Sequence, residues 1–185
     1  MYVQHNMKIF TLPFIMFILE LVWASFWIFC AIYIFSVGTP ESHPDYEFVT
    51  NIKWTTKTRY TFLYHIFGLF WLNAFIVGVT QFIIGCSACL WYFEVSTDTK
   101  GTNTLSRAFY WTFRYHLGSI AFGSFCIAVC QIIRFLFEYY RRKIGAANKE
   151  LKWVKVMLCL TGALLYMMER CVKYITKNAY IQISL

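Results

Sequence analysis

Residues 60–93, YTFLYHIFGLFWLNAFIVGVTQFIIGCSACLWYF, contain no aspartate, glutamate, lysine or arginine, and Arg59 and Glu94 close the run at its two ends. Its most strongly polar members are His65, Asn73, Thr80 and Gln81. An α-helix rises 1.5 Å per residue, so about 20 apolar residues already cross the hydrocarbon core of a bilayer. A lone segment in lipid has no water for its backbone N–H and C=O groups, and only a helix pairs them all internally. This run therefore predicts a transmembrane helix, and its neighbours have to be read in the same solvent.

Composition agrees. Of 185 residues, 59% are hydrophobic, 21% aromatic and only 14% charged, whereas a soluble domain carries about 25% charge. The net charge of +8 does not indicate nucleic acid, because the basic residues stand at the ends of apolar runs. There Lys and Arg anchor helices and bias their orientation. Seven cysteines lie in or beside apolar segments, and none falls in the polar stretch 38–59, where an oxidising compartment would place disulfides. Cys86 and Cys89 have C-x-x-C spacing without a second pair or a histidine cluster, so packing outweighs zinc or redox chemistry. No triad-like arrangement, glycine-rich phosphate loop or metal-ligand cluster supports a catalytic reading, a metal or a cofactor.

Working outward, the first span is expected at Ile9–Val37, with Pro13 in its opening turns and Glu20 inside it. It is far longer than the apolar region of a signal peptide and reads as retained. A carboxylate in a span faces protein or a cavity unless it lies at an interface or is protonated, so Glu20 is a candidate coupling or gating residue. Residues 38–59 form a polar loop with turn chemistry, and the length of 60–93 implies tilt or protrusion from the membrane. A short loop at 94–104 leads to Leu105–His116, where Arg107 and Arg114 are seven apart, as on one face of an interfacial amphipathic helix.

The third span is Leu117–Tyr140. Ser119 and Gly123 stand in a small-xxx-small relation that admits another helix, and Gln131 is polar within the span. Arg134 and Glu138 are four apart and are expected to pair. After the basic cluster 141–143 comes Lys152–Ile175, whose uncharged core Val156–Met168 has thirteen residues. Spans need about 17 or more, so this segment is left open between a fourth span with snorkelling lysines and a helix on the surface. Basic residues fall mostly on one side with three spans and divide nearly evenly with four, so the positive-inside rule decides only the first case. The fold class is all-α: a polytopic membrane protein of three to four transmembrane helices plus an interfacial amphipathic helix, in a single membrane domain over 1–185.

Three stretches go further. YHIFGLFW at 64–71, with Phe75, Gln81 and the aromatic end 91–93, resembles a core helix of the choline transporter-like family. RYHLGSIAFGSFCIAVCQIIRFLFEY at 114–139 and KYITKNAYI at 173–181 are similar to the family's RYHxGSxAFG–QIIRxxxEY and KFLNRNAYI segments, in the same order. The resemblance covers roughly 60–185. It implies a multi-span solute carrier that moves choline or a related amine without a bound cofactor, with loop 38–59 extracellular and loop 94–104 cytoplasmic. Family members are several times longer, which implies a partial chain. Ala74 stands where the family has a polar residue, and MLCLTGALLYMM at 157–168 replaces a cysteine-rich stretch. A plasma-membrane location is the first expectation, with an organellar membrane as the alternative.

Choline carries a permanent charge that no deprotonation relieves, so a low-dielectric site must offer aromatic faces and perhaps a carboxylate. Tyr64, Phe67 and Trp71 fall at i, i+3 and i+7 on one helical stripe, and Asn73 and Gln81 are eight apart on a shared face. These five are the candidate substrate contacts, although an aromatic stripe in a bilayer is more often packing. His65 and His116 each follow a tyrosine at the start of an apolar run and are candidates for proton coupling, against the plainer reading of helix-end histidines. With Glu20, Gln131, Arg134 and Glu138 they complete the coupling or gating set. Three or four helices scarcely enclose an alternating-access path, so other membrane helices are expected as partners: the rest of a carrier, a second copy or partner subunits. The alternative function is a truncated, non-transporting relative that serves as an assembly subunit.

Overall fold

The computed structural model describes residues 7–43, 46–93, 103–147 and 152–184. The loop expected at 94–104 lies outside the described residues except for Asn103 and Thr104. A 3₁₀ turn, Met7–Phe10, leads into α1, Thr11–Ser36, and Pro13 falls among the first helical residues, where a missing N–H leaves no bond unmade. Helix α2 covers Thr56–Phe93, α3 Thr104–Trp111, α4 Leu117–Ala147 and α5 Lys152–Ser184. Among the described residues, three helices are long and apolar enough to cross a membrane: α1, α2 and the run Thr104–Ile144. Helix α5 falls short of that measure because its charges lie too close together.

Two details depart from the sequence reading. Part of the polar loop 38–59 is an antiparallel hairpin of β1, Thr39–His43, and β2, Tyr46–Lys53, with Thr39 opposite Lys53 and Ser42 opposite Thr50. The second strand, YEFVTNIK, is rich in aromatic and β-branched residues, which suit an extended backbone better than a turn. The segment expected as a separate interfacial helix is instead continuous with the third span. Helix α3 passes through a π turn, Thr112–His116, directly into α4, since no glycine or proline interrupts 104–117. Thr112 is buried in that turn, and its hydroxyl donates to the Ala108 carbonyl at 2.6 Å.

Helix α2 is the axis of the bundle. Antiparallel to it on one side lies α1, whose Leu12, Met16, Trp23 and Trp27 form the stripe turned inward. At its C-terminal end, Phe35 meets Trp54 and Phe62 edge to face, with the three ring centroids 4.7–5.6 Å apart. Helix α4 packs antiparallel on α2, with Phe70 beside Phe135 and Phe82 beside His116. The core unites Ile76, Val79, Phe82, Ile83 and Cys86 of α2 with Leu12, Ala108, Ile120 and Tyr180. Outward faces stay apolar: Phe14, Val22 and Phe122 are 63–71% exposed. In water such faces would aggregate; against lipid they are in their own solvent. Cys86 is buried and Cys89 half-buried, and neither is in a disulfide.

Candidate functional site

Polar side chains inside a bilayer need partners or a wet cavity, and here they divide between the two. Helix hydroxyls turn back on their own carbonyls: Thr80 donates to Ile76 at 2.8 Å and Ser124 to Ala121 at 2.9 Å. The longer amides cannot do this. Asn73 and Gln81 of α2 and Gln131 of α4 instead line one cavity of about 390 Å³, closed on its third side by Lys173, Thr176, Lys177 and Tyr180 of α5. Two expected substrate contacts and one expected gating residue are thus brought together by three helices.

Glycines make this junction possible. Tyr180 is buried between α2 and α4, and its hydroxyl donates to the Ile120 carbonyl at 3.1 Å. A Cβ on Gly123 would lie 2.5 Å from that hydroxyl oxygen and 2.8 Å from Thr176 Cγ2, and one on Gly78 would lie 3.1 Å from Ile120 Cγ2. Gly123 therefore does what the small-residue spacing implied, and its guest is α5. Ser119 remains exposed.

The aromatic stripe goes elsewhere. Phe67 and Trp71 both pack edge-on to Phe125, at 5.8 and 5.7 Å, and the Trp71 indole N–H donates to Ala121 at 3.3 Å. Tyr64 is 76% exposed. None of the three is among the residues lining the amide cavity. His65 stacks on Trp27 at 4.7 Å, and each residue's ring nitrogen meets the other's backbone carbonyl, at 3.0 and 3.1 Å. A carbonyl only accepts, so the imidazole Nε2 carries the proton in this pair. His116 leans on Phe82 at 5.0 Å. Seventeen residues separate His65 from Phe82 along α2, roughly 25 Å, so the two histidines belong to different places. Glu20 is half-buried with no ion pair among the described residues, one turn from Trp23, whose buried indole N–H also lacks an acceptor.

One expected pair is corrected. Arg134 does not meet Glu138; its Nη1 donates to Glu169 Oε2 at 2.6 Å, while Glu138 Oε1 accepts from Arg141 at 2.8 Å and Arg142 at 3.3 Å. Spacing along α4 allowed the i+4 partner, but Arg134 faces α5. Glu169 also accepts from Lys173 Nζ at 2.6 Å, and the Arg134 and Arg170 guanidiniums lie 5.1 and 5.2 Å from the Tyr166 ring centroid. Sequence reasoning passed over Glu169. Its signal was present: a lone carboxylate bounding an uncharged run must find a cation. Among the described residues no cluster of three or more metal-ligating side chains occurs.

A multi-pass α-helical membrane bundle with an amide-lined cavity at a three-helix junction is the class these features define. The family model described as "Plasma-membrane choline transporter" matches residues 1–185, and the chain belongs to that family. It is 30% identical over 180 residues to choline transporter-like protein 2 of Dictyostelium discoideum, covering 96% of this chain and 28% of that protein. It is 37% identical over 125 residues to choline transporter-like protein 1 of Caenorhabditis elegans, covering 66% and 16%. Similarity to choline transporter-like protein 1 of Torpedo marmorata is 28% over 160 residues, covering 86% and 24%. The chain thus spans 16–28% of the length of these relatives and is a multi-pass integral membrane protein.

Proposed function

We propose that this chain forms part of the path by which a membrane carrier moves choline or a related quaternary amine. The observation that carries the reading is the amide cavity, set inside a sequence whose relatives are named for choline transport. Asn73, Gln81 and Gln131 suit the hydroxyl end of choline, and Tyr174 and Tyr180 on the opposite wall offer aromatic surface. Among the described residues no carboxylate lines this cavity, whereas Lys173 and Lys177 do. Glu169 takes the Lys173 charge, which leaves Lys177 as the cation an ammonium group would have to avoid.

The remaining neutralising charge is assigned to other membrane helices of the carrier. Glu20 and the Trp23 indole N–H of α1, which have no ion pair and no acceptor among the described residues, are addressed to such a helix. Helix α5 is taken as a fourth span, because it runs antiparallel along α4 from Tyr180 beside Ile120 to Glu169 beside Arg134. His65 and His116 are assigned to helix packing, and Phe67 and Trp71 to the α2–α4 seam.

Uptake of radiolabelled choline by transporter-deficient cells tests the proposal directly. The protein containing this sequence is expected to raise uptake above the empty vector. Gln81→Leu and Gln131→Leu are each expected to lower it about five- to ten-fold at unchanged surface amount, the loss of one hydrogen bond apiece. Uptake at the vector level, or uptake indifferent to both substitutions, would remove the cavity from the path.

A further inference from the structure

The amide cavity opens into a trough that runs between α1 and α5 over one face of α2. Its floor carries Asn73 and Val77, both exposed, and its α5 wall carries the exposed Lys177 and Tyr174. The other wall is α1. Because α1 is antiparallel to α2 and Trp27 is level with His65, Glu20 comes level with Leu72, beside Asn73. Around α1, at about 100° per residue, Glu20 lies about 50° from the mean direction of Leu12, Met16, Trp23 and Trp27. In an antiparallel right-handed helix that rotation turns it to the side on which Asn73 leaves α2. A carboxylate and an ammonium, neither in an ion pair among the described residues, thus flank one trough at one level.

This level is deep in the membrane. A Cβ on Gly123 would lie 2.8 Å from Thr176 Cγ2, so Lys177, the next residue, is level with that part of α4. Gly123 stands near the midpoint of the run between Arg114 and Arg134, which holds no acidic residue, lysine or arginine. That run is about 30 Å long, the thickness of the hydrocarbon core. Its nearer boundary, about 15 Å away, is beyond the reach of a lysine stem. Lys177 therefore cannot snorkel, and Asn73, Gln81 and Lys177 cannot face acyl chains. Glu169 is already shared by Arg134 and Lys173, so α5 has no carboxylate to spare here. A free anion would settle one charge and leave the amides in lipid. A helix covers the whole face, and Val77 and Tyr174, 44% and 68% exposed, give it apolar contact. The matched region is 16–28% of the relatives' length, and a helix from the remainder is the occupant at hand.

We propose that another transmembrane helix of the carrier lies in this trough, with an aspartate or glutamate at mid-span on Lys177 and a hydrogen-bond donor or cation on Glu20. It closes the open side of the amide cavity. This docking rests on the reading of α5 as a span and not on choline as the cargo, so failure of uptake and failure of docking are told apart.

The test places p-benzoylphenylalanine at Tyr174, and separately at Val77, in the full-length carrier containing this sequence. Native membranes are irradiated and the adduct is identified by mass spectrometry. Each position is expected to join a peptide outside residues 1–185 that carries Asp or Glu near the middle of an apolar run. Lys177→Met is expected to lower that yield about five-fold, and Lys177→Arg to hold it within about two-fold, because only the first strands a buried acid. Replacing the captured acid by its amide in the Lys177→Met background should restore the yield, since no charge is then stranded. Adducts with phospholipid, with a peptide lacking an acid or with a second copy of this chain would each overturn the proposal. Equal yields from Lys177→Met and Lys177→Arg would do the same. The label at Tyr174 exchanges one aromatic ring for another, so its result decides the matter even if the Val77 variant does not fold.

Discussion

Replacing Gly123 by alanine is expected to destabilise the bundle by about 1–3 kcal/mol, the range for forcing a methyl group into a filled core. The same change at Gly118, five residues earlier on α4, is expected to be neutral or stabilising by up to about 1 kcal/mol, since alanine is the better helix former. The contrast follows from what each Cβ would meet. At Gly118 nothing lies within 4 Å, whereas at Gly123 the Tyr180 hydroxyl would be at 2.5 Å and Thr176 Cγ2 at 2.8 Å. Tyr180 cannot withdraw, because its ring packs on Phe82 at 6.3 Å, its hydroxyl is held by Ile120, and Gly78 closes the other side. Gly78→Ala should fall between the two, with its nearest contact at 3.1 Å. Thermal unfolding in detergent, followed by circular dichroism, gives the order. Adding Tyr180→Phe and Thr176→Ser to Gly123→Ala removes both obstructing atoms and should recover part of the loss. Equal melting of the Gly123 and Gly118 variants would mean that α4 and α5 do not meet here.

That junction also marks how far sequence alone could reach. Spans such as 60–93 are legible because length without charge is a property of the segment itself. The seam where Gly78, Gly123 and Tyr180 meet is tertiary, and its members lie more than forty residues apart in sequence. Small-residue spacing identified Gly123 as a point of close approach without saying what approaches. Periodicity likewise placed Phe67 and Trp71 on one stripe correctly, but no helical wheel says whether a stripe faces a ligand or Phe125. Asn73, Gln81 and Gln131 were legible for a different reason: long amides in a span are costly unless they share a polar space, and they do.

The local departures have local causes. Residues 38–59 carry Pro40 and Pro44, which read as turn punctuation and masked the strand-forming run that follows them. The segment 105–116 was separated from the third span because its arginines interrupt the apolar pattern. The backbone has no reason to stop there, and it absorbs the change through a π turn instead. In both cases side-chain chemistry was read as a boundary that the main chain does not observe.

Charge placement leads to the second large effect. Glu169→Gln is expected to cost about 2–3 kcal/mol of stability and to lower choline uptake by more than the loss of surface protein explains. The carboxylate side chain is 7% exposed and holds Arg134 and Lys173, whose own side chains are 47% and 46% exposed. Breaking a fully buried pair costs about 3–5 kcal/mol and an exposed one about 0–1 kcal/mol, so a half-solvated pair of partners belongs between them. The glutamine keeps the shape of the side chain and one accepting oxygen but turns a donor toward a cation. Lys173 then carries an unneutralised charge on the wall of the amide cavity, beside Lys177. Two positive charges facing a quaternary ammonium oppose its entry, and at an effective dielectric of 20 a charge about 8 Å away contributes about 2 kcal/mol. Lys173→Met in the same background removes the freed charge, so the double variant should transport better than Glu169→Gln alone while remaining less stable than the native chain. If Lys173→Met restores nothing, the role of Glu169 ends at holding α4 to α5, and the charge of the cavity has no bearing on which ligand it admits.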